Sequence, residues 1–350
     1  MITIYDYNYL SPHLSMYFID NQMFFDLNNS EYVYIRDPEY AHPVDIEIIH
    51  GNNKTITQHK IGLVFDIYVN IPNQLKKIQL NSNQYCITNA YDPDISNQKI
   101  IYIDFLFNRT KAYYSQYPFR YDTKIWHWYG QESFIAFPLA KHTTKNKIFI
   151  APLKTHGGTR KYRQKLFDLL YNKYANQGYI GNYTQDKKLF LYPQIEFPWG
   201  ISIEELEQCQ RTPSYTALGY LPPHNEYYKN TFISIYTESI ESGTSIAITE
   251  KTFDPMIKGH FVLPFSNAGF VNRLINQGFR LPNFIDYSYD KIANDDARYL
   301  AYSNEVKRLL NFDIDHWRQL WVDNLDIINY NKRIFHERPY DRVNFSSLLE

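Results

Sequence analysis

Cysteine is almost missing from this chain of 350 residues: Cys86 and Cys209 are the only two. That excludes a disulfide framework and a metal cage built of cysteines. Glycine is scarce as well, at 13 residues, and the fingerprints that depend on it are absent. There is no Walker A loop, no Gly-x-Gly-x-x-Gly and no Gly-x-Ser-x-Gly elbow, and Gly157-Gly158 is too short to count. The 11 histidines show neither His-x-x-x-His nor His-Glu-x-x-His spacing, which argues against a zinc hydrolase. Charge of one sign is not in excess either. Lys and Arg number 36 against 37 Asp and Glu, a formal net charge of -1. A chain that coats nucleic acid needs a cationic surplus to displace counterions, so no nucleic acid is expected as a partner. No run reaches the roughly 18 consecutive apolar residues of a membrane span. Met1 to Asp6 carries no basic stretch leading into an apolar one, so Asn-x-Ser/Thr triplets such as those at Asn53 and Asn108 carry little weight. A soluble, cytoplasmic protein is the expectation.

What is present is enough to fold. Hydrophobic residues make up 44% and charged residues 21%, so large cores are available and disorder is not expected. The length suits two domains. Aromatics reach 17%, with 33 Tyr and 23 Phe; compositional bias in an AT-rich genome accounts for most of them better than a sugar-stacking surface does. The polar stretch Ala140–Lys147 separates two apolar blocks, which places a boundary near residue 145. Before it, strand-like runs dominate: Tyr32–Ile35, Ile46–Ile49, Ile61–Val69, Tyr85–Thr88 and Ile100–Phe107.

After it, strands and helices alternate. Ile148–Leu153 reads as a buried strand, followed by a Gly-Gly turn and a helix from Arg160 to about Tyr174 with Leu166, Leu169, Leu170 and Tyr174 at helical spacing. Thr231–Tyr236 and Phe261–Phe265 read as strands, Thr249–Lys258 and Gly269–Gln277 as helices stopped by Gly259 and Gly278. Ile314, Trp317, Leu320, Trp321, Leu325 and Ile328 trace an apolar stripe along one long helix. Alternation of this kind implies an α/β fold with a parallel sheet, and ligands bind such sheets at the carboxyl ends of the strands.

Two helix beginnings carry the chemistry. In Thr249-Glu250-Lys251, Thr249 is placed to cap a helix, which puts Glu250 and Lys251 in its first turn. A lysine there opposes the macrodipole unless an anion sits beside it, and a carboxylate can hold the vicinal hydroxyls of a ribose. Arg160-Lys161-Tyr162-Arg163-Gln164-Lys165 repeats the pattern, with four cations at a helix start. An anionic ligand would relieve their repulsion; the plainer alternative for both segments is a solvated helix end.

The stretch Ile233–Ser239, then Thr249-Glu250-Lys251, Gly259 and Phe261–Phe265, resembles the donor-binding region of glycosyltransferase family 10, the fucosyltransferases, with their phage and giant-virus relatives. Glu238-Ser239 falls at the family's Glu-Asn, with Ser239 in place of Asn. The resemblance runs from Thr231 to Gly278. It implies a GT-B-like fold: two Rossmann-like domains with a cleft between them, residues 1–145 on the acceptor side and 146–350 binding a nucleotide-sugar, with the last helix packing back on the first domain. It implies transfer of a hexose or deoxyhexose from a nucleoside diphosphate to a hydroxyl of a glycan or other acceptor, with inversion. No divalent metal or other cofactor is expected. Donor-binding residues would be Arg160, Arg163, Glu238, Ser239, Thr249, Glu250 and Lys251, with Glu250 on the ribose. Arg163 and Lys251 would also serve catalysis at the diphosphate, and a viral origin would put the protein in a host cytoplasm.

An inverting transfer also needs a base near the acceptor hydroxyl. Asp92 is preferred because it follows the strand Tyr85–Thr88; Asp94, Asp104, Asp122 and Glu132 are the other candidates. Asp92 and Asp94 also form an Asp-x-Asp pair, which makes a metal-dependent transferase one rival. A non-catalytic carbohydrate-binding or viral structural protein is another. Asp313 and Asp315 look like helix caps, and Trp126-His127-Trp128-Tyr129 like an interface core.

Overall fold

The computed structural model describes residues 2–6, 25–26, 32–36, 59–64, 84–88, 91, 100–102, 107, 111, 144–153, 160–183, 189–192, 225–339 and 343–344. The first part of the chain contributes β1 (Ile2–Asp6), β2 (Phe25–Asp26), β3 (Tyr32–Arg36), β4 (His59–Val64), β5 (Gln84–Thr88) and β6 (Ile100–Tyr102). Five of these form one parallel sheet in the order β3-β1-β4-β5-β6. The expected strand Ile46–Ile49 lies outside the described residues. The one expected over Ile100–Phe107 is shorter, because Phe107 is already helical.

The second sheet contains β7 (Phe149–Pro152), β8 (Gly178–Tyr183), β9 (Leu189–Tyr192), β10 (Ile233–Thr237) and β11 (Phe261–Phe265) in the order β11-β10-β7-β8-β9. All its pairings are parallel except β8 with β9. Both sheets follow a Rossmann-like order in which the chain starts in the interior and winds outward in both directions. The expected α/β, GT-B-like class is therefore what the chain adopts. In the second sheet the winding reverses between β7 and β10, the place where such sheets hold ligands.

The described helices are α1 (Lys161–Tyr174), α2 (Asn225–Asn230), α3 (Glu250–Ile257), α4 (Phe270–Asn276), α5 (Asp295–Leu310), α6 (Ile314–Asp323) and α7 (Leu325–Glu337). Gly259 after α3 and Gly278 after α4 have φ of 80° and 94°, the left-handed geometry that ends a helix at no Cβ cost. The single helix expected from Ile314 onward is two. Asn324, at φ -115° and ψ 20°, breaks it, and its side-chain amide donates to the Leu320 carbonyl at 2.8 Å in place of a lost backbone bond. Trp317, Trp321 and Ile328 still form one buried stripe.

Strands β7, β10 and β11 are buried along nearly their whole length, between α1, α5 and α6 on one side and α3, α4 and α7 on the other. β11 is the sheet edge, so Pro264 removes no ladder donor there. Its exposed carbonyls are taken by tyrosines: Tyr287 donates to Val262 at 2.8 Å and Tyr289 to Pro264 at 2.7 Å. Part of the tyrosine excess is thus core that seals an edge.

Several contacts join the chain's two parts. Tyr91 and Ile246 exchange two backbone hydrogen bonds, 3.1 and 2.7 Å. The Arg273 guanidinium on α4 stacks over Tyr91 at 4.1 Å and over Tyr102 at 4.8 Å. Phe107 packs on Phe253 and Phe335, Lys111 donates to the carbonyl of His336 at 2.7 Å, and beyond α7 the strand β12 (Val343–Asn344) pairs with β2. Lys145 is buried beneath the second sheet, donating to the Tyr228 carbonyl at 3.1 Å.

Candidate functional site

At the carboxyl end of β10 the chain passes through Thr237, Glu238 and Ser239, all buried. Glu238 is a hub. One carboxylate oxygen accepts from the Thr249 amide (3.1 Å) and the Thr252 hydroxyl (2.7 Å), and the other from the Thr249 hydroxyl (2.7 Å) and the Ser239 amide (3.2 Å). Such partners offset the solvation a carboxylate loses on burial. The result is that the strand end and the start of α3 form one rigid unit. Thr249 has the extended geometry of an N-cap, and its hydroxyl accepts from the Lys251 amide at 3.3 Å, as its sequence position suggested.

Lys251 turns back over this unit. Its Nζ donates to the Ser239 hydroxyl at 3.0 Å, the Thr249 hydroxyl at 3.2 Å and Glu250 Oε1 at 3.3 Å. From the other side of the strand end comes Arg163, in the first turn of α1. Its Nε donates to Thr237 Oγ1 at 2.9 Å, and its Nη2 to the carbonyls of Thr237 (3.3 Å) and Glu238 (3.1 Å). Arg163 is 3% exposed, and burial, aided by Arg160, pushes its guanidinium down to about 10, which leaves it charged at neutral pH. Glu241, Glu238 and Glu250 act on it in the opposite sense. Arg160 stands one residue before α1, half-buried.

Of the expected site residues, Arg160, Arg163, Glu238, Ser239, Thr249, Glu250 and Lys251 therefore gather at one strand end, the one at which the sheet order reverses. Asp92, Asp94, Asp104, Asp122 and Glu132 lie outside the described residues, as do the Gly157-Gly158 turn and Trp126–Tyr129. Tyr91, the residue before Asp92, is held to Ile246 three residues before Thr249.

Part of the negative charge that the cations of α1 require comes from within the chain. Lys161 and Lys165 both donate to Asp296 in the first turn of α5, at 2.8 and 3.2 Å, and hold its carboxyl down at about 2. The first turn of α1 also receives Glu241, whose Oε1 accepts from the Tyr162 amide at 3.2 Å. Glu241 is 7% exposed, and its Oε2 has no hydrogen-bond partner among the described residues. Burial raises its pKa against the pull of the Tyr162 amide, Arg163 and Arg160. Sequence reasoning passed over Glu241, because Ser-Ile-Glu-Ser-Gly looks like an ordinary loop. Its one signal was that it is an acid four residues beyond the end of β10, a strand end already suspected of binding.

Asp313 is a cap, accepting from the His316 amide at 2.7 Å, and Asp315 pairs with Arg318 at 2.6 Å. Among the described residues no three His, Cys, Asp or Glu side chains gather as a metal site would require. None of the described helices is long and apolar enough to cross a membrane.

No protein-family model matches the chain, and no curated protein matches it significantly. Among solved structures, it is similar to a crystal structure of an α1,3-fucosyltransferase, with 10% identity over 99% of this chain and 87% of that one and a TM-score of 0.44.

Proposed function

We propose that the protein is a glycosyltransferase that moves a sugar from a nucleoside diphosphate to a hydroxyl acceptor, with inversion and without a required metal. One observation carries the reading: Arg163 and Lys251, from the starts of two different helices, close on consecutive residues of one strand end at the switch point of a Rossmann-like sheet. Two cations, two helix N-termini and a rigid backbone are what a departing diphosphate needs. Negative charge builds on it as the glycosidic bond breaks, and donors fixed beforehand lower that barrier by roughly 3–4 kcal/mol each.

In this reading Lys251 and the half-buried Arg160 contact the diphosphate, and Arg163 holds the strand end while placing its charge behind it. Glu250 holds the ribose. Glu238, Ser239 and Thr249 keep the helix start in register. Asp92 takes the proton of the acceptor hydroxyl, a role that fits its position one residue beyond the Tyr91–Ile246 bridge. The donor is a nucleotide-sugar and the acceptor a glycan or another hydroxyl compound.

The test is a thermal-shift screen against GDP-, UDP-, CDP- and dTDP-sugars, followed by release of nucleoside diphosphate with and without EDTA. A donor at about 100 times its dissociation constant should add roughly 2.7 kcal/mol to stability. Turnover that persists in EDTA supports the reading, and turnover abolished by EDTA favours the Asp92/Asp94 metal alternative. Absence of any shift or release favours a non-catalytic protein.

A further inference from the structure

Among the described residues at this strand end, Glu241 is a carboxylate with one oxygen bonded and the other not. It reaches into the first turn of α1, a helix of 14 residues, and spends Oε1 on the Tyr162 amide. Its Oε2 is buried without a partner among the described residues. A buried carboxylate oxygen of that kind is costly until it receives a hydrogen bond. A phosphate cannot supply one, since it brings only acceptors and like charge. A hydroxyl can.

The grouping of charges at the strand end says which hydroxyl. Glu241 meets the first turn of α1 beside Arg160 and Arg163, and Glu250 pairs with Lys251 in the first turn of α3. A carboxylate beside cations at each of two helix starts suits a molecule with an anionic middle and a hydroxyl-bearing group at either end. A nucleotide-sugar has those parts: sugar, two phosphates and ribose. With the ribose assigned to Glu250, the other end falls to Glu241.

We infer that Glu241 Oε2 accepts a hydrogen bond from a hydroxyl of the sugar being transferred, so that Glu241 helps to select the donor sugar. The inference rests on the donor-site reading above and goes beyond it by assigning the sugar end of the ligand. It makes Glu241 a specificity residue and leaves the diphosphate to the cations.

The experiment is calorimetric titration of wild type and Glu241→Gln. The probes are GDP, UDP, CDP and dTDP, and then GDP-fucose, GDP-mannose, UDP-glucose, CDP-glucose and dTDP-rhamnose. Wild type should bind at least one conjugate about tenfold more tightly than the diphosphate it contains. Glutamine keeps a carbonyl for the Tyr162 amide, so the variant should retain the affinity for the diphosphate and lose that tenfold preference. Monodeoxy versions of the preferred sugar test the same point on wild type, where folding of a variant is not at issue; one of them should lose about tenfold. An undiminished preference in the variant overturns the inference while the donor-site reading stands. So does a parallel loss of diphosphate and conjugate, or a wild type that gains nothing from any sugar or is indifferent to every deoxy analogue. A wild type that binds neither diphosphate nor conjugate overturns both.

Discussion

The two ends of the second sheet bury charge in different ways. At the amino end, the Lys145 amine donates to the carbonyls of Tyr228 at 3.1 Å and Thr231 at 2.5 Å and lies over the rings of Phe232 and Trp321. Beside it, His260 contacts the Ser234 hydroxyl through Nδ1 at 3.0 Å and the Tyr228 carbonyl through Nε2 at 2.8 Å. Burial pushes Lys145 down to about 7 and His260 well below its ordinary value. Here burial penalises charge, and the two side chains bond backbone carbonyls at the end of α2 and ahead of β10. At the carboxyl end Arg163 and Lys251 lie among Glu238, Glu241 and Glu250, and Arg163, brought down to about 10, keeps its charge at neutral pH. Buried ionisable groups alone therefore do not mark a site. What distinguishes the carboxyl end is that cations from two helix starts meet carboxylates there and that one acceptor, Glu241 Oε2, has no partner among the described residues.

The comparison can be broken by substitution. The largest effect is expected from Glu238→Ala, which strands two hydroxyls and two amides at once; it should cost about 4 kcal/mol of unfolding free energy in urea. A loss under about 1 kcal/mol would mean that the hub does not hold the strand end. Lys251→Ala should weaken diphosphate binding by about 10- to 100-fold in titration calorimetry, with a stability change of about 1 kcal/mol or less. Loss of stability without loss of binding would move Lys251 from the binding role to a structural one.

Lys145→Met sharpens the contrast from the other end. Between the folded value of about 7 and the unfolded value of about 10.4, the unfolded chain holds a proton that the folded chain does not. Stability should thus rise with pH across that window, by up to about 1.4 kcal/mol per pH unit. The Met variant should lose this contribution to the slope while diphosphate affinity stays unchanged. His260 works in the same sense at lower pH, where stability should fall as the solution is acidified below about 6.5. The smallest effect belongs to Asp296→Asn. Its ion pairs with Lys161 and Lys165 are exposed and screened, so equilibrium unfolding at physiological salt should hardly change.

Strands β7, β10 and β11 were legible because they are largely apolar and the helices around them carry their own punctuation, whereas β8, with Gly178, Gly181 and Asn182, offers no such run. Thr249 caps, Gly259 and Gly278 stop, and Phe261–Phe265 matches strand β11 residue for residue. Helix α5 was missed because Arg298, Ser303 and Glu305 take buried positions on it and interrupt the apolar stripe. Arg298 is affordable there only because it donates to the carbonyls of Ser266 at 2.8 Å and Ile292 at 2.7 Å, partners distant or invisible in the pattern. At the site, the sequence marked which residues gather but not how they divide the work. Glu238 reads as a ligand residue and serves as a hub; Asp296, from a helix not foreseen, neutralises the lysines of α1. Such roles depend on long-range contacts that no local spacing encodes.

In the proposed function the end of β10 grips a diphosphate between the starts of α1 and α3. The most direct measurement is a crystal structure with the nucleoside diphosphate that gives the largest thermal shift. Phosphate oxygens are expected within hydrogen-bond distance of Lys251 Nζ and the Arg160 guanidinium, with Arg163 still bonded to the Thr237 and Glu238 carbonyls. A nucleotide bound elsewhere, with Lys251 still closed on Ser239 and Glu250, would contradict it.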